Sequence, residues 1–242
     1  MKALNDPVEE ADREKVAQAI RAGEREMRDA YQRELGLGAT PKSVLIASHN
    51  QGKVREFREI FAPLGFTVTS AAEHALPEPE ETGDTFEANA ELKAVAAADA
   101  SGQLALADDS GLCVPALDGA PGIYSARWAG PTKDFQVAMQ RIAEELRARA
   151  IEPEGTPAYF VCVLSLAMPH GWVRSFRGEW HGTLTFPPRG ARGFGYDPIF
   201  VPAGYQETCG ELDPALKNRI SHRAIAFEAL RAILAKETSA CP

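Results

Sequence analysis

Asp108 and Asp109 stand side by side in the stretch LALADDSGLCV, residues Leu104 to Val114, between two apolar runs. Withdrawing a carboxylate from water is costly unless it is paired or holds a metal. Two hard oxygen donors there, with a glutamate nearby, suit Mg2+, which takes carboxylate and phosphate oxygens and keeps several waters. One of the pair could also orient or deprotonate an attacking water. The competing reading is a polar turn in which Asp and Ser satisfy local amides.

Four further stretches carry polar chemistry. In SHNQGK, Ser48, His49, Asn50, Gln51, Gly52 and Lys53 lie where a strand hands over to a helix. Backbone N–H groups, the helix dipole and an ammonium there make an anion site. The spacing is not that of a Walker loop, and a well-capped helix with a surface lysine would look the same. In PEPEETGDTFEANAELKA, Glu80 and Glu81 precede a helix on which Asn89 and Lys93, four apart, share one face. Either glutamate could reach a divalent metal, although acidic residues also favour helix starts for dipole reasons alone.

In PPRGARGFGYDPIFVP, Gly190, Gly193 and Gly195 open the backbone, Phe194 and Tyr196 supply flat rings, and Asp197 is an acceptor. Stacking plus edge-reading is what a purine base requires, and a Gly/Pro loop with core aromatics has the same composition. In LKNRISHR, Lys217, His222 and Arg223 could bind phosphate or a base carbonyl; solvated cations around a helix cap are the alternative. His74, His170 and His181 show no zinc spacing. Ser110 and Ser125 have no Gly-x-Ser-x-Gly context.

These residues must be positioned by regular elements. SVLIAS predicts a buried strand, and HNQGKVREFREIFAPLG a helix capped by Asn50, with Val54, Phe57, Phe61 and Leu64 on one face. FTVTS predicts a second strand, and TFEANAELKAVAAADASG a helix from Thr85 to near Gly102. LALADD predicts a strand that ends at the carboxylates, with GLCVPAL a separate one. At a strand's carboxyl end such residues sit where α/β sheets gather ligands. TKDFQVAMQRIAEELRARA predicts an amphipathic helix, AYFVCVLSLAMP and WVRSFRGEWHGTLTF a pair of neighbouring strands, and ISHRAIAFEALRAILAKE a final helix. Strands alternate with helices early and pair with one another later, so the class is α/β with a mixed sheet.

The chain of 242 residues carries a net charge of −8, which argues against binding a nucleic acid polymer through a basic face. Cys113, Cys162, Cys209 and Cys241 are widely spaced, consistent with buried thiols in a reducing cytoplasm. No apolar run of membrane-spanning length and no signal-peptide pattern is present, so a soluble cytoplasmic protein is expected. Residues 1–41 are dense in charge with a thin apolar seam of Val16, Ile20, Met27, Tyr31 and Leu35, read as a helix or a partly ordered extension. The domain proper spans 42–236, and 237–242 form a tail.

In order along the chain, ASHNQGKVREF, EETGDTFEANAELKA, ADDSGLCVPALDGAPGIYSARWAG, GFGYDPIF and KNRISHR resemble the motifs of the inosine triphosphate pyrophosphatase family. That family hydrolyses non-standard purine nucleoside triphosphates such as ITP, dITP and XTP. The resemblance implies an elongated, two-lobed α/β fold around a long mixed sheet with flanking helices, the nucleotide in a cleft between lobes, Mg2+ as cofactor and a homodimer. It implies that Ser48 through Lys53 bind the triphosphate, with Asn50 and Lys53 the key side chains. Asp109 matches the metal ligand and general base, Ser110 a substrate contact, and Glu80 or Glu81 the second metal carboxylate. Phe194, Gly195, Tyr196 and Asp197 match the base-binding segment, and Lys217, His222 and Arg223 the contacts to base and phosphates.

By this resemblance water attacks the α-phosphorus, pyrophosphate leaves, and Lys53 steadies the leaving charge. Asp108 would orient the metal ligand. A donor such as Arg223 or His222 would accept the 6-carbonyl of hypoxanthine or xanthine and reject adenine. His49 stands where relatives often carry a small residue, and the first 40 residues have no family counterpart. The rivals are a pyrophosphatase of the same architecture for another base and a non-catalytic nucleotide binder; the paired carboxylates speak against the second.

Overall fold

The structure is a computed structural model and describes residues 42–236. The N-terminal extension with its apolar seam, the tail and Cys241 lie outside the described residues. A six-stranded mixed sheet runs in the order β2-β1-β3-β4-β5-β6. Its strands are β1 (Lys42–Ile46), β2 (Phe66–Ser70), β3 (Ala105–Cys113), β4 (Pro157–Ala167), β5 (Val173–Leu184) and β6 (Phe200–Pro202). The pairs β1–β2 and β1–β3 are parallel; the remaining pairs are antiparallel. The helices are α1 (Gln51–Phe61), α2 (Phe86–Ser101), α3 (Ser125–Trp128), α4 (Phe135–Ala148), α5 (Pro214–Ile220) and α6 (His222–Lys236).

The caps are local chemistry. Asn50 accepts from the Gly52 and Lys53 amides to open α1, and Thr85 accepts from the Ala88 amide to open α2. Gly102 closes α2 in the left-handed conformation that glycine adopts without a Cβ penalty. Asp134 caps α4, which therefore starts three residues later than TKDFQ suggested.

One expectation fails. LALADD and GLCVPAL do not form two strands: β3 runs unbroken through both carboxylates, with Asp108 opposite Leu164, Asp109 opposite Val163 and Gly111 opposite Val161 on β4. The ladder with β4 explains the continuity, because it satisfies the backbone where a turn would otherwise be needed. On its other edge β3 pairs with β1 only through Leu106. The carboxylates are thus in mid-strand, yet they lie just beyond the point where the parallel ladder stops and a crevice opens. Gly111 is fixed by close approach rather than by a turn: a Cβ there would come within 2.3 Å of the Gly122 carbonyl oxygen.

Two large apolar clusters flank the crevice. One gathers Val44, Phe57, Phe61, Leu106, Leu164 and Phe227; the other gathers Leu112, Ile142, Leu146, Trp180, Ile199 and Phe200. Helix α6 lies close against β5 because Gly178 has no side chain; a Cβ there would fall 2.2 Å from the His222 carbonyl oxygen. That approach seats His222 and Arg223 beside β3. No helix among the described residues is long and apolar enough to cross a membrane.

Candidate active site

A cleft of about 480 Å3 lies between the two clusters, within the range of small-molecule sites. Its floor is the stretch of β3 beyond Leu106, where the pairing with β1 has ended. Adjacent strand residues point to opposite faces, and this resolves the paired carboxylates: each serves a different helix layer.

Asp108 faces α1 and α6. Its Oδ2 is 2.8 Å from Lys53 Nζ and 3.6 Å from Arg223 Nη2, and it accepts from Ser110 Oγ at 3.1 Å. Burial alone would raise its carboxyl pKa, but the Lys53 and Arg223 charges outweigh that and hold it well below the usual carboxylate range. Arg223 is itself buried, with Nη1 2.7 Å from Glu56 Oε2. The SHR segment is therefore an internal ion-pair network, not a solvated cap.

Asp109 faces α2. Its Oδ1 is 3.2 Å from Lys93 Nζ, and Asn89 Nδ2 donates weakly to its Oδ2 at 3.5 Å. Burial pushes the Asp109 carboxyl up to about 6, Lys93 opposing and the Glu81 and Asp108 charges adding. Lys93 also holds Glu81 at 2.7 Å. Two neighbouring carboxyls with pKa values driven apart mark an assignment of distinct roles: Asp108 is a fixed anion, whereas Asp109 can take up a proton near neutrality.

Of the two candidate glutamates, Glu81 lines the cleft and Glu80 is exposed outside it. Arg127 Nη2 donates to the Glu81 carbonyl oxygen at 3.1 Å, steadying this segment. Among the described residues no three His, Cys, Asp or Glu side chains converge into a cage for a metal. Glu81 and Asp109 nevertheless both reach one point, the Lys93 ammonium. A pair of hard oxygen donors fits Mg2+, which binds through one or two carboxylates together with waters and substrate phosphate oxygens.

At the β1–α1 turn, Ser48, His49, Asn50 and Lys53 line the cleft, whereas Gln51 and Gly52 are exposed on the helix's first turn outside it. Ser48 Oγ accepts from the Asn50 amide at 3.1 Å, which shapes the turn. His49 Nε2 is 2.9 Å from the Leu76 carbonyl oxygen and ties the turn to the segment leading to Glu81.

At the opposite end the GFGYD segment lines the cleft from Phe194 to Asp197. Only Phe194, 52% exposed, offers a free ring face. Tyr196 is buried edge-on against Phe135, its ring centroid 5.3 Å away. Its hydroxyl donates to the Ser125 carbonyl oxygen at 2.8 Å. Asp197 is buried and accepts from the Phe194 amide at 2.7 Å and from Lys217 Nζ. Gly193 is obligatory here, because at φ +75° a Cβ would run into the Asp197 carboxylate. Lys217 Nζ lies 5.0 Å from the Phe194 ring centroid.

His222 stacks on Phe160, ring centroids 4.9 Å apart and planes within 15°. Burial first, then the Arg223 and Lys217 charges, drive its pKa well below the ordinary histidine value, so the imidazole is neutral. His222 Nδ1 and Arg223 Nε are buried without a hydrogen-bond partner among the described residues. Such atoms are costly to leave unsatisfied, and both residues line the cleft.

Sequence reasoning missed Lys93, Glu56, Phe160, Lys133 and Phe135 as lining residues. The Asn89–Lys93 spacing signalled the first of these; Phe160 sits in an apolar strand that carries no such signal.

The model of the Ham1 family matches residues 44–233. The dITP/XTP pyrophosphatase of Rhodospirillum centenum is 62% identical over 190 residues, covering 78% of this chain and 93% of that protein. The dITP/XTP pyrophosphatase of Zymomonas mobilis is 54% identical, covering 79% and 91%. Among solved structures, a HAM1 protein from Coxiella burnetii superposes with a TM-score of 0.75 at 40% identity, covering 81% of this chain and 99% of its own. The Staphylococcus aureus Ham1 protein gives 0.73 at 41% identity, covering 81% and 100%.

Proposed function

This chain belongs to the Ham1 family, and from that membership we infer that it hydrolyses non-standard purine nucleoside triphosphates, ITP, dITP and XTP, to the monophosphate and pyrophosphate. The observation that carries the mechanism is the divergence of the two adjacent carboxyls, Asp108 locked as an anion by Lys53 and Arg223 and Asp109 raised to about 6. A general base needs a pKa near the operating pH, and of the two adjacent carboxyls it is Asp109 that is raised toward it. Asp109 takes the proton of a water aimed at the α-phosphorus. Lys93 holds its carboxylate in place. The capped turn at Asn50 and the Lys53 ammonium, shared with Asp108, receive the phosphates and steady the departing pyrophosphate.

Glu81 and Asp109 are the residues that would hold Mg2+. When bound, the ion neutralises charge on the phosphate oxygens. The base lies against Phe194. The neutral His222 ring and the Arg223 guanidinium, each with an unused buried nitrogen, supply the donors that accept a 6-carbonyl and are left unpaired by adenine. A homodimeric cytoplasmic enzyme is the working assembly in this reading.

A triphosphate panel tests the specificity. With Mg2+ and pyrophosphate release as the readout, kcat/KM for ITP, dITP and XTP is expected to exceed that for ATP by a factor on the order of 10^3 or more, since rejection rests on buried donors losing their partners. Comparable rates on ATP and ITP would remove the base-reading role of His222 and Arg223.

A further inference from the structure

The cations that line the cleft are nearly all committed to internal partners. Lys53 pairs with Asp108, Lys93 with Glu81 and Asp109, Lys217 with Asp197, and Arg223 with Glu56. Lys133 lines the same cleft and, among the described residues, has no carboxylate partner. Its backbone is also unusual. At φ +53° it adopts the left-handed conformation that side chains with a Cβ rarely take. The Lys133 amide donates to the Gly130 carbonyl oxygen at 3.1 Å, and the Asp134 amide to the Ala129 carbonyl oxygen at 2.9 Å. A sterically disfavoured backbone held by its surroundings is a feature of functional positions.

The location of Lys133 follows from its neighbours. Two residues on, Phe135 packs edge-on against Tyr196 and lies within van der Waals reach of a Cβ built at Gly195. Lys133 therefore belongs with the Phe135–Tyr196 side of the cleft, next to the Phe194 ring against which the base is proposed to lie. At that end the other ammonium, Lys217, is neutralised by Asp197.

An uncompensated ammonium favours a ligand that carries negative charge at the same place. Among the purines that fit the proposed function, xanthine has carbonyls at both positions 2 and 6 and loses a ring proton below neutral pH. Its base is then an anion. Hypoxanthine lacks the 2-carbonyl and stays neutral. We propose that Lys133 is a specificity-determining residue that recognises the anionic xanthine base and sets the preference for XTP over ITP. This rests on the function proposed above.

The test uses two variants of the full chain. Lys133→Asn removes the charge with a residue that tolerates the left-handed backbone, and Lys133→Arg keeps it. The ratio of kcat/KM for XTP to that for ITP, at neutral pH with Mg2+, is expected to fall about tenfold or more in the Asn variant, the worth of one hydrogen bond to a charged group. The Arg variant is expected to recover most of the ratio. Raising the salt concentration should lower the ratio in the wild type and leave the Asn variant flat, because the contact is partly exposed. Equal losses on both substrates would place Lys133 on ribose or phosphate, and an unchanged ratio would mean that it touches neither; both overturn the proposal. Pyrophosphate release from ITP by the wild type is measured alongside and reports on the proposed function itself, so either result with that wild-type release present overturns this assignment alone.

Discussion

Asp109→Asn is expected to abolish nearly all turnover and, at the same time, to make the metal-free protein more stable above about pH 6. The loss follows from removing the general base, a contribution on the order of 10^2–10^4-fold. The gain follows from linkage. Burial pushes the Asp109 carboxyl up to about 6 in the folded chain, from 3.8 for a free aspartate, so between those values the folded state binds more protons than the unfolded one. Stability then declines as pH rises across that window and levels off above it. At about 1.4 kcal/mol per unit, ionised Asp109 costs up to ~3 kcal/mol near neutrality. Asparagine keeps the shape and carries no such cost. Thermal melts in EDTA between pH 4 and 8 check this: the wild-type curve should fall through pH 4–6 and the variant curve should stay above it beyond pH 6. A variant that is both inactive and less stable at neutral pH would show that Asp109 is structural rather than a base held at a cost.

Arg223→Met should be strongly destabilising. Arg223 is 6% exposed and serves two carboxylates, Glu56 at 2.7 Å and Asp108 at 3.6 Å. Removing one member of a buried network strands charge and costs about 3–5 kcal/mol. The sign of the Asp108 linkage is opposite to that of Asp109. Its folded pKa is depressed, so the stability it contributes is present above the unfolded carboxylate pKa and is lost as pH falls below it. Arg223→Met weakens that acid-side dependence, while the larger Lys53 contribution remains. The check is a double-mutant cycle by urea denaturation. Asp108→Asn combined with Arg223→Met should recover part of the loss, since it removes a buried carboxylate that Lys53 alone would otherwise compensate. Strictly additive destabilisation would mean that the two side chains do not interact energetically.

Much of this arrangement was legible in the chain because it is local. The Asn50 and Thr85 caps, the Gly102 helix end and the β4–β5 pairing follow from spacing and side-chain chemistry within a few residues, whereas the final helix, read from Ile220, starts at His222 after a separate α5 that ends at Ile220. What was not legible depends on which distant segments meet. LALADD reads as a strand that ends at its carboxylates until β4 is known to pair along its whole length. Glu80 and Glu81 are equivalent in sequence, and only the position of Lys93 on α2 separates them. Tyr196 reads as a free stacking face, but Phe135, far earlier in the chain, covers it. The burial of Arg223 follows from Gly178 on β5, a glycine that nothing local marks as important.

The proposed mechanism turns on attack of water at the α-phosphorus. Hydrolysis of ITP with Mg2+ in water enriched in oxygen-18, followed by mass spectrometry of the products, tests it directly. The account predicts IMP carrying one labelled oxygen and pyrophosphate carrying none. Label in pyrophosphate would place the attack on the β-phosphorus, and IDP with labelled inorganic phosphate would place it on the γ-phosphorus; either contradicts the account.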